Sequence, residues 1–218
     1  AYVDSPECAP AAEGNSPLYK LDHMPWNRPN ATPSKALCVI LHGLKGSPIQ
    51  WERYADDLEA RLPEMEVIIP RQVADGNAPH EVVVPPIQAM IEDYNRKFPK
   101  NRIYVLATSH GSTMAQEIET LNAGKINKFA LVSIAGVHGG TKLIDWLNTC
   151  GLLRRFSTNH PDIDADFSQY SERTAQRLNA WVQCQARHTA TGAHVAHLFA
   201  ATPEDLLVHP LENSLVNL

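Results

Sequence analysis

The sequence lacks any apolar run approaching the roughly 20 residues that a transmembrane helix needs. Its longest apolar run, Ala36 to Leu41, has the length of a strand. It also lacks an excess of positive charge: the net charge of −5 argues against nucleic acid or an anionic membrane surface as the main partner. These absences favour a soluble protein, and 218 residues fit one domain better than two.

Cysteine is scarce, and no C-x-x-C pair exists among the four cysteines to indicate a zinc or redox site. Cys38 lies in the apolar run, which predicts a buried thiol. Cys8, Cys150 and Cys184 lie in polar or loop-like contexts that allow a disulfide without implying one. We therefore expect no metal and no organic cofactor, and we leave the oligomeric state open.

The chain begins at Ala1 and not at Met. A removed signal peptide, a trimmed tag or a chosen boundary would each account for this start. Cysteine usage does not settle the compartment, and a secreted or periplasmic location is favoured over a cytoplasmic one.

Two regions differ in their hydrophobic patterning. Residues 1–34 are rich in Pro, Ala, Ser and Asn and predict an irregular N-terminal arm. Residues 35–218 alternate apolar runs with helical stripes, as one domain does. The predicted strands are Ala36–His42, Glu66–Pro70, Ile103–Ala107, Phe129–Ile134 and His194–Ala200. The predicted helical stripes are Ile49–Leu62, Ile87–Phe98, Met114–Leu121 and Glu172–Arg187.

Steady alternation of strand and helix predicts an α/β fold with a mostly parallel central sheet and helices on both faces. The pattern loosens within residues 141–170, which we expect to form a lid or cap segment. Ligands of parallel α/β sheets bind at the carboxyl ends of the strands, so the chemistry is sought there.

The third predicted strand runs into the sequence Ala107-Thr108-Ser109-His110-Gly111. A nucleophile elbow has small residues two places before and after its serine, because a sharp strand-to-helix turn brings the flanking backbones close together. Ala107 adds one methyl group to the usual glycine, and Gly111 keeps the second glycine. Ser109 is therefore predicted to be a nucleophile; the competing interpretation is a chance match in a Gly/Ser turn.

The first predicted strand ends in His42-Gly43-Leu44-Lys45-Gly46. Acyl transfer requires prearranged N–H groups for the oxyanion, one from the residue after the nucleophile and one from an earlier strand-end loop. We expect the N–H groups of His110 and Leu44 to fill these roles, with Gly43 beside the substrate. The alternative is an ordinary glycine-containing loop.

The last predicted strand precedes Pro203-Glu204-Asp205-Leu206. In chain order the acid of a catalytic triad follows the serine, so Asp205 is the predicted acid, with Glu204 as the fallback. The alternative is an acid at a helix N-cap.

Together HGLKGSP, ATSHG and PEDLLVHP resemble the α/β-hydrolase superfamily from Ala36 to the end of the chain. The stretch from Ile134 to Thr141 is similar to the G-x-P-H-x-G loop of some lipases and esterases, with Val137 in place of proline. The resemblance implies a minimal α/β-hydrolase fold, a small-molecule or lipid ester substrate, and substrate contact by His138.

The general base has no obvious candidate in the sequence. A histidine should follow the acid by a few tens of residues, roughly. His209 is the sole histidine after Asp205, and it lies inside the acid loop. His42, His110 and His138 precede the acid and are disfavoured. Either the chain is truncated before its histidine loop, which we favour, or it works with a nonstandard base or not at all. The sequence beyond Leu218 would decide between them.

The sequence thus predicts a carboxylic-ester hydrolase, lipase-like or esterase-like, acting through an acyl-enzyme on Ser109. One alternative is a hydrolase-fold binding protein with an intact elbow and no base, which binds an acyl ligand or a protein without turnover. The other is an acyltransferase, which uses the same nucleophile and differs only in the second acceptor.

Overall fold

The computed structural model describes residues 2–3, 24–29, 36–150 and 161–200. Within these ranges the strands are β1 (Tyr2–Val3), β2 (Ala36–Leu41), β3 (Met65–Pro70), β4 (Arg102–Thr108), β5 (Lys128–Ile134) and β6 (His194–Ala200). They form one sheet in the order β1-β3-β2-β4-β5-β6, and every neighbouring pair is parallel. The predicted parallel α/β architecture is confirmed.

Six α-helices connect or follow the strands in the described ranges. They are α1 (Ile49–Arg61), α2 (His80–Lys97), α3 (His110–Asn122), α4 (Lys142–Thr149), α5 (Pro161–Phe167) and α6 (Glu172–Thr191). None of them is both long and apolar enough to cross a membrane.

Side chains of β2 alternate between two hydrophobic clusters, as the pleat of a strand requires. Val39 and its i ± 2 neighbours pack with α2 and α3 on one face, while Cys38 and Ile40 pack with Ala55 of α1 on the other. The strand is buried on both sides because helices cover both faces of the sheet.

Two elements differ from the sequence-based expectation. Tyr2–Val3 pairs with Ile69 and Pro70 of β3, so residues 1–34 contribute a short strand. The helix predicted to begin at Ile87 starts instead at His80 and continues through Pro85 and Pro86. Its first turns are anchored by buried side chains such as Val83, which offset the hydrogen bonds that the prolines cannot donate.

The carboxyl ends of the central strands meet at one edge of the sheet. Leu41 of β2 lies opposite Ala107 of β4, and Thr108 of β4 lies opposite Ile134 of β5. The loops after β2, β4 and β5 therefore adjoin one another, and these are the three described loops that carry the predicted site residues.

Candidate active site

Ser109 occupies the junction between β4 and α3 with φ 49° and ψ −123°. A positive φ in a residue other than glycine costs about 1–3 kcal/mol and persists only where the surroundings enforce it. Hydrogen bonds on both sides hold the turn: Ser109 N–H donates to the Ile134 carbonyl at 3.3 Å, and Ser112 N–H donates to the Ser109 carbonyl at 3.0 Å.

The Ser109 hydroxyl does not cap α3. Serine is common before a helix because its oxygen accepts a backbone N–H, but Ser109 makes no such capping hydrogen bond. Its side chain is half-buried at the carboxyl end of the sheet. A capping role therefore does not explain why a serine occupies this strained position.

Gly111 is fixed by close packing and not by an unusual backbone conformation. A Cβ added to Gly111 would lie 2.6 Å from the Leu41 carbonyl oxygen and 2.7 Å from that of His42. Ala107, two residues before the serine, is fully buried and its methyl group is accommodated. The turn therefore tolerates alanine on the strand side and requires glycine on the helix side.

The loop after β2 lies directly against Ser109. A Cβ added to Gly43 would lie 3.0 Å from the Ser109 Cβ and 3.5 Å from its Oγ. Lys45 adopts φ 53°, and Gly46 N–H donates to the Gly43 carbonyl at 3.0 Å, so the chain forms a tight turn beside Ser109. The structure thus brings the predicted residues Gly43 and Ser109 together.

Two buried side chains make hydrogen bonds or close contacts with the backbone of this loop. The His42 ring is buried with Nδ1 2.9 Å from the Gly43 carbonyl oxygen, and burial lowers its pKa. Gln72 donates from Nε2 to the His42 carbonyl at 3.1 Å. Sequence reasoning did not select Gln72, which lies outside every motif and reaches the loop only through the fold.

The N–H groups of Leu44 and His110 are both free of hydrogen bonds to the described residues. The His110 N–H is in the first turn of α3, where helix N–H groups have no intrahelical acceptor. Leu44 is half-exposed next to Gly43. Both groups remain able to donate to a ligand, and their assignment to an oxyanion hole stays a prediction.

The His110 side chain lies in the interior of the protein. Its ring is fully buried, lies 5.2 Å from the His80 ring and stacks 5.0 Å from the Phe167 ring, measured between centroids. Burial and the charge of His80 hold its pKa well below the usual range, so the imidazole is neutral. His110 can therefore contribute its backbone N–H beside Ser109 but not a basic ring.

His138 is also an interior residue, with 1% of its surface exposed. Its Nε2 lies 2.7 Å from Ser133 Oγ, which donates to Ser112 Oγ at 3.0 Å. Burial and the nearby Arg177 charge lower its pKa to about 3. The ring stacks on Trp181 and is almost fully shielded from solvent. Its contact with substrate stays a prediction.

A buried ion pair ties the loop after β5 to the helices beyond it. Arg177 donates to Asp166 Oδ1 at 3.0 Å and to the His138 carbonyl at 3.1 Å. Thr141 N–H donates to the Phe167 carbonyl at 2.7 Å, which joins the start of α4 to the end of α5. The Asp166–Arg177 pair links the segment 141–170, where a lid or cap was predicted, to α6, and the Thr141–Phe167 bond connects two described parts of that segment to each other.

The predicted acid Asp205, its fallback Glu204 and His209 lie outside the described residues. Within the described ranges no histidine ring makes a hydrogen bond to the Ser109 hydroxyl. The rings of His80, His188 and His197 are hydrogen-bonded to other side chains. The described part of the chain therefore supplies a candidate nucleophile and two candidate donors, and among its residues no histidine is in place as the base.

The comparisons with known proteins find similar structures but no sequence match. The sequence matches no protein-family profile and no curated protein. Similar solved structures include the phospholipase PlaB from Legionella pneumophila, 13% identical with a TM-score of 0.57, over 75% of this chain and 39% of that chain. The lipase BlEst2 from Bacillus licheniformis in its propeptide form is 14% identical with a TM-score of 0.55, over 77% of this chain and 36% of that chain.

A monoacylglycerol lipase from Paleococcus ferrophilus is 12% identical with a TM-score of 0.50, over 85% of this chain and 80% of that chain. The present chain spans well under half the length of the first two proteins. At these identities the likeness shows the α/β-hydrolase fold, in agreement with the parallel sheet and its helices.

Proposed function

We propose that the protein is a serine hydrolase that cleaves a carboxylic ester through an acyl-enzyme on Ser109. The observation that carries this proposal is the strained backbone of Ser109 at the end of β4, combined with a hydroxyl that caps no helix. Strain of this kind is retained where the position of a side chain matters for function. A serine elevated on a strand-to-helix turn is the arrangement that α/β-hydrolases use for their nucleophile.

In the proposed reaction, Ser109 Oγ attacks the ester carbonyl carbon, and the carbonyl electron pair moves onto its oxygen. The N–H groups of Leu44 and His110 donate to this oxyanion. Collapse of the tetrahedral intermediate re-forms the carbonyl and expels the alcohol, which takes up the serine proton. Water then cleaves the acyl-enzyme. One such donor is worth about 100- to 1,000-fold in kcat in comparable sites.

The reaction requires a group to accept the serine proton, since an unassisted hydroxyl is a poor nucleophile near neutral pH. We propose that a histidine oriented by Asp205 provides it. Glu204 remains the fallback acid. Both carboxylates follow β6 in the sequence, and the last residue of β6 lies opposite Ile134, at the edge of the sheet where Ser109 lies.

The substrate proposed is a small-molecule or lipid ester with an apolar acyl chain. Ile134 ends β5 with 37% of its surface exposed, although most large apolar side chains of the strands are buried. Its backbone carbonyl accepts the Ser109 N–H, so Ile134 adjoins the turn that holds Ser109. An acyl chain bound there would cover it.

One observation favours a second candidate, a binding protein without turnover. No described histidine contacts the Ser109 hydroxyl, and an elbow without a base retains the oxyanion site while losing most of its activation. Such a protein would bind an acyl or ester ligand at the same edge of the sheet.

Steady-state hydrolysis of p-nitrophenyl butyrate distinguishes the two candidates. We expect the protein to turn over the ester and Ser109→Ala to lower kcat/KM at least about 1,000-fold. Ser47→Ala, a half-buried serine at the start of α1, is the matched control and should be unaffected. Saturable binding without turnover would support the binding protein, and full activity in Ser109→Ala would refute both roles for Ser109.

A further inference from the structure

A second cluster of chemically reactive side chains lies at the opposite end of α3 from Ser109. It joins Glu119 of α3, Cys184 and His188 of α6, and His197 of β6. The His188 Nε2 lies 3.2 Å from Cys184 Sγ and 3.3 Å from Glu119 Oε1. The His197 Nε2 lies 2.9 Å from Glu119 Oε1. Three separate elements thus bring these four side chains into one contiguous cluster, in which His197 contacts the Glu119 carboxylate.

We propose that this cluster is a structural zinc site with Glu119, Cys184 and His188 as ligands and His197 as the fourth. The donor atoms of the first three residues all lie within 4.8 Å of one another, and all three side chains are buried. A thiolate, two imidazoles and a carboxylate are the ligand types that Zn²⁺ accepts. Tetrahedral sites of closed, all-protein ligation are typical of structural zinc.

Charge provides the first argument for a cation. The Glu119 side chain is 0% exposed, and among the described residues no lysine or arginine pairs with it. A buried ionised carboxylate must be compensated by donors or cations. Trp181, Gln185 and the two histidines hold the Glu119 carboxylate by hydrogen bonds and close contacts, and a cation would balance its charge. A divalent cation with the thiolate of Cys184 would make the whole site electrically neutral.

Spacing provides the second argument. Cys184 and His188 are four residues apart on α6 and therefore lie on the same helical face. Zinc bonds of about 2.0–2.3 Å in a tetrahedron separate neighbouring ligand atoms by about 3.3–3.7 Å. The His188–Cys184, His188–Glu119 and His197–Glu119 donor pairs are separated by 3.2, 3.3 and 2.9 Å, and the donor atoms of Glu119, Cys184 and His188 all lie within 4.8 Å of one another, so the side chains would have to shift to form a tetrahedron around the ion.

The surroundings already orient the ligands. Trp181 donates from Nε1 to Glu119 Oε2 at 2.8 Å and Gln185 donates from Nε2 to Oε1 at 3.0 Å, which fixes the carboxylate with Oε1 also next to His188 and His197. The other ring nitrogen of His188, Nδ1, has no hydrogen-bond partner among the described residues, so nothing there fixes the proton on Nε2. Outer hydrogen bonds to a carboxylate ligand are a regular feature of zinc sites.

The site would stabilise the fold without taking part in ester chemistry. Glu119 is ten residues beyond Ser109 along α3, which corresponds to about 15 Å at 1.5 Å per residue. Zinc there would join α6 and β6 to the helix that carries the nucleophile. Binding would release the Cys184 thiol proton, so zinc affinity should rise with pH.

Metal titration of the full chain tests the proposal. After chelation and dialysis, we expect the protein to take up about one equivalent of Zn²⁺ with an increase in Tm. Co²⁺ in place of Zn²⁺ should give the near-ultraviolet thiolate charge-transfer band and the intense visible bands of a tetrahedral site. Both readings are made on the unmodified protein and do not depend on ester hydrolysis.

Variants assign the ligands. Cys184→Ser should abolish the charge-transfer band, and His188→Gln should weaken Zn²⁺ binding at least about tenfold. Cys150→Ser, an exposed free thiol on α4's carboxyl side, is the control and should leave both unchanged. Substoichiometric Zn²⁺ uptake by the unmodified protein, or a Co²⁺ spectrum without the thiolate band, would overturn the proposal and leave a hydrogen-bonded network around Glu119.

Discussion

A Cβ added to Gly43 would lie 3.0 Å from the Cβ of Ser109, although the two residues belong to different loops and are 66 positions apart in the chain. The close approach places the backbone of the first loop beside the strained turn that holds the serine. Because the oxyanion must form next to the attacking hydroxyl, this contact is the geometric basis of the proposed site.

Gly43→Ala should impair catalysis more than folding. The added methyl group would press on Ser109 and displace the loop that carries the Leu44 N–H, which is expected to lower kcat at least about tenfold. The measurement is kcat/KM for p-nitrophenyl butyrate together with Tm. Gly139→Ala is the matched control, since its Cβ would meet nothing within 4 Å. Equal activity in the two variants would contradict the proposed role of the Gly43 loop.

Gly111→Ala should destabilise the whole domain. Its Cβ would lie 2.6 Å from a backbone carbonyl oxygen of β2, and backbone atoms of a central strand cannot move aside cheaply. We expect a loss of about 2 kcal/mol or more in the free energy of unfolding. Urea denaturation measures the loss, again with Gly139→Ala for comparison. An unfolding free energy within about 0.5 kcal/mol of the unmodified protein would refute the packing argument.

The sequence predicted the central sheet well because β2, β4 and β5 are short apolar runs followed by helical stripes. These local patterns depend on residues close together in the chain. The strand at Tyr2–Val3 escaped prediction because two residues carry no periodicity, and its pairing with β3 is set by contacts far along the chain. The start of α2 was missed since Pro85 and Pro86 resemble a helix beginning.

The candidate site also contains some residues that the sequence could predict and others that it could not. Ser109 and Gly43 were predictable because motifs mark the strand ends, and the sheet register then brings those ends together. The support from Gln72 and the burial of the His138 ring were not, since each depends on which side chains face each other across the fold. Cys184 and His188 carried a local signal, four-residue spacing on a helix, but their meeting with Glu119 required the tertiary structure.

Acid should destabilise the protein beginning near pH 6.5. The pKa values of His110 and His138 lie below the ordinary value in the folded protein and return to it on unfolding. The unfolded chain therefore binds more protons below about pH 6.5, and stability falls as pH decreases towards 3. In that window His138 contributes a slope of about 1.4 kcal/mol per pH unit, and His110 adds to it in the same direction.

Urea unfolding between pH 7.5 and 4.5 measures this slope in the protein and in His138→Gln. In His138→Gln the free energy of unfolding should change less steeply with pH, by the slope that corresponds to the uptake of about one proton. In His194→Gln, at an exposed position of β6, the slope should match that of the unmodified protein. Identical slopes in all three proteins would show that the His138 ring is not held neutral by the fold.

Ile134→Ser should alter acyl-chain preference. Ile134 adjoins the turn that holds Ser109, so loss of its exposed side chain should lower kcat/KM for p-nitrophenyl octanoate about three- to tenfold relative to the acetate, the effect of about 1 kcal/mol of apolar contact. Leu198→Ser is the control. Leu198 is 59% exposed on β6, but it lies two residues before the carboxyl end of that strand. A proportionate change on both esters would contradict an acyl-binding role for Ile134.

The central claim is that Ser109 is an activated nucleophile, and covalent labelling tests it most directly. The full chain is treated with a fluorophosphonate probe, digested, and the adduct is located by mass spectrometry. The account predicts a single adduct on Ser109, lost in Ser109→Ala and retained in Ser47→Ala. An adduct on another residue, or no adduct in a protein that hydrolyses p-nitrophenyl butyrate, would contradict it.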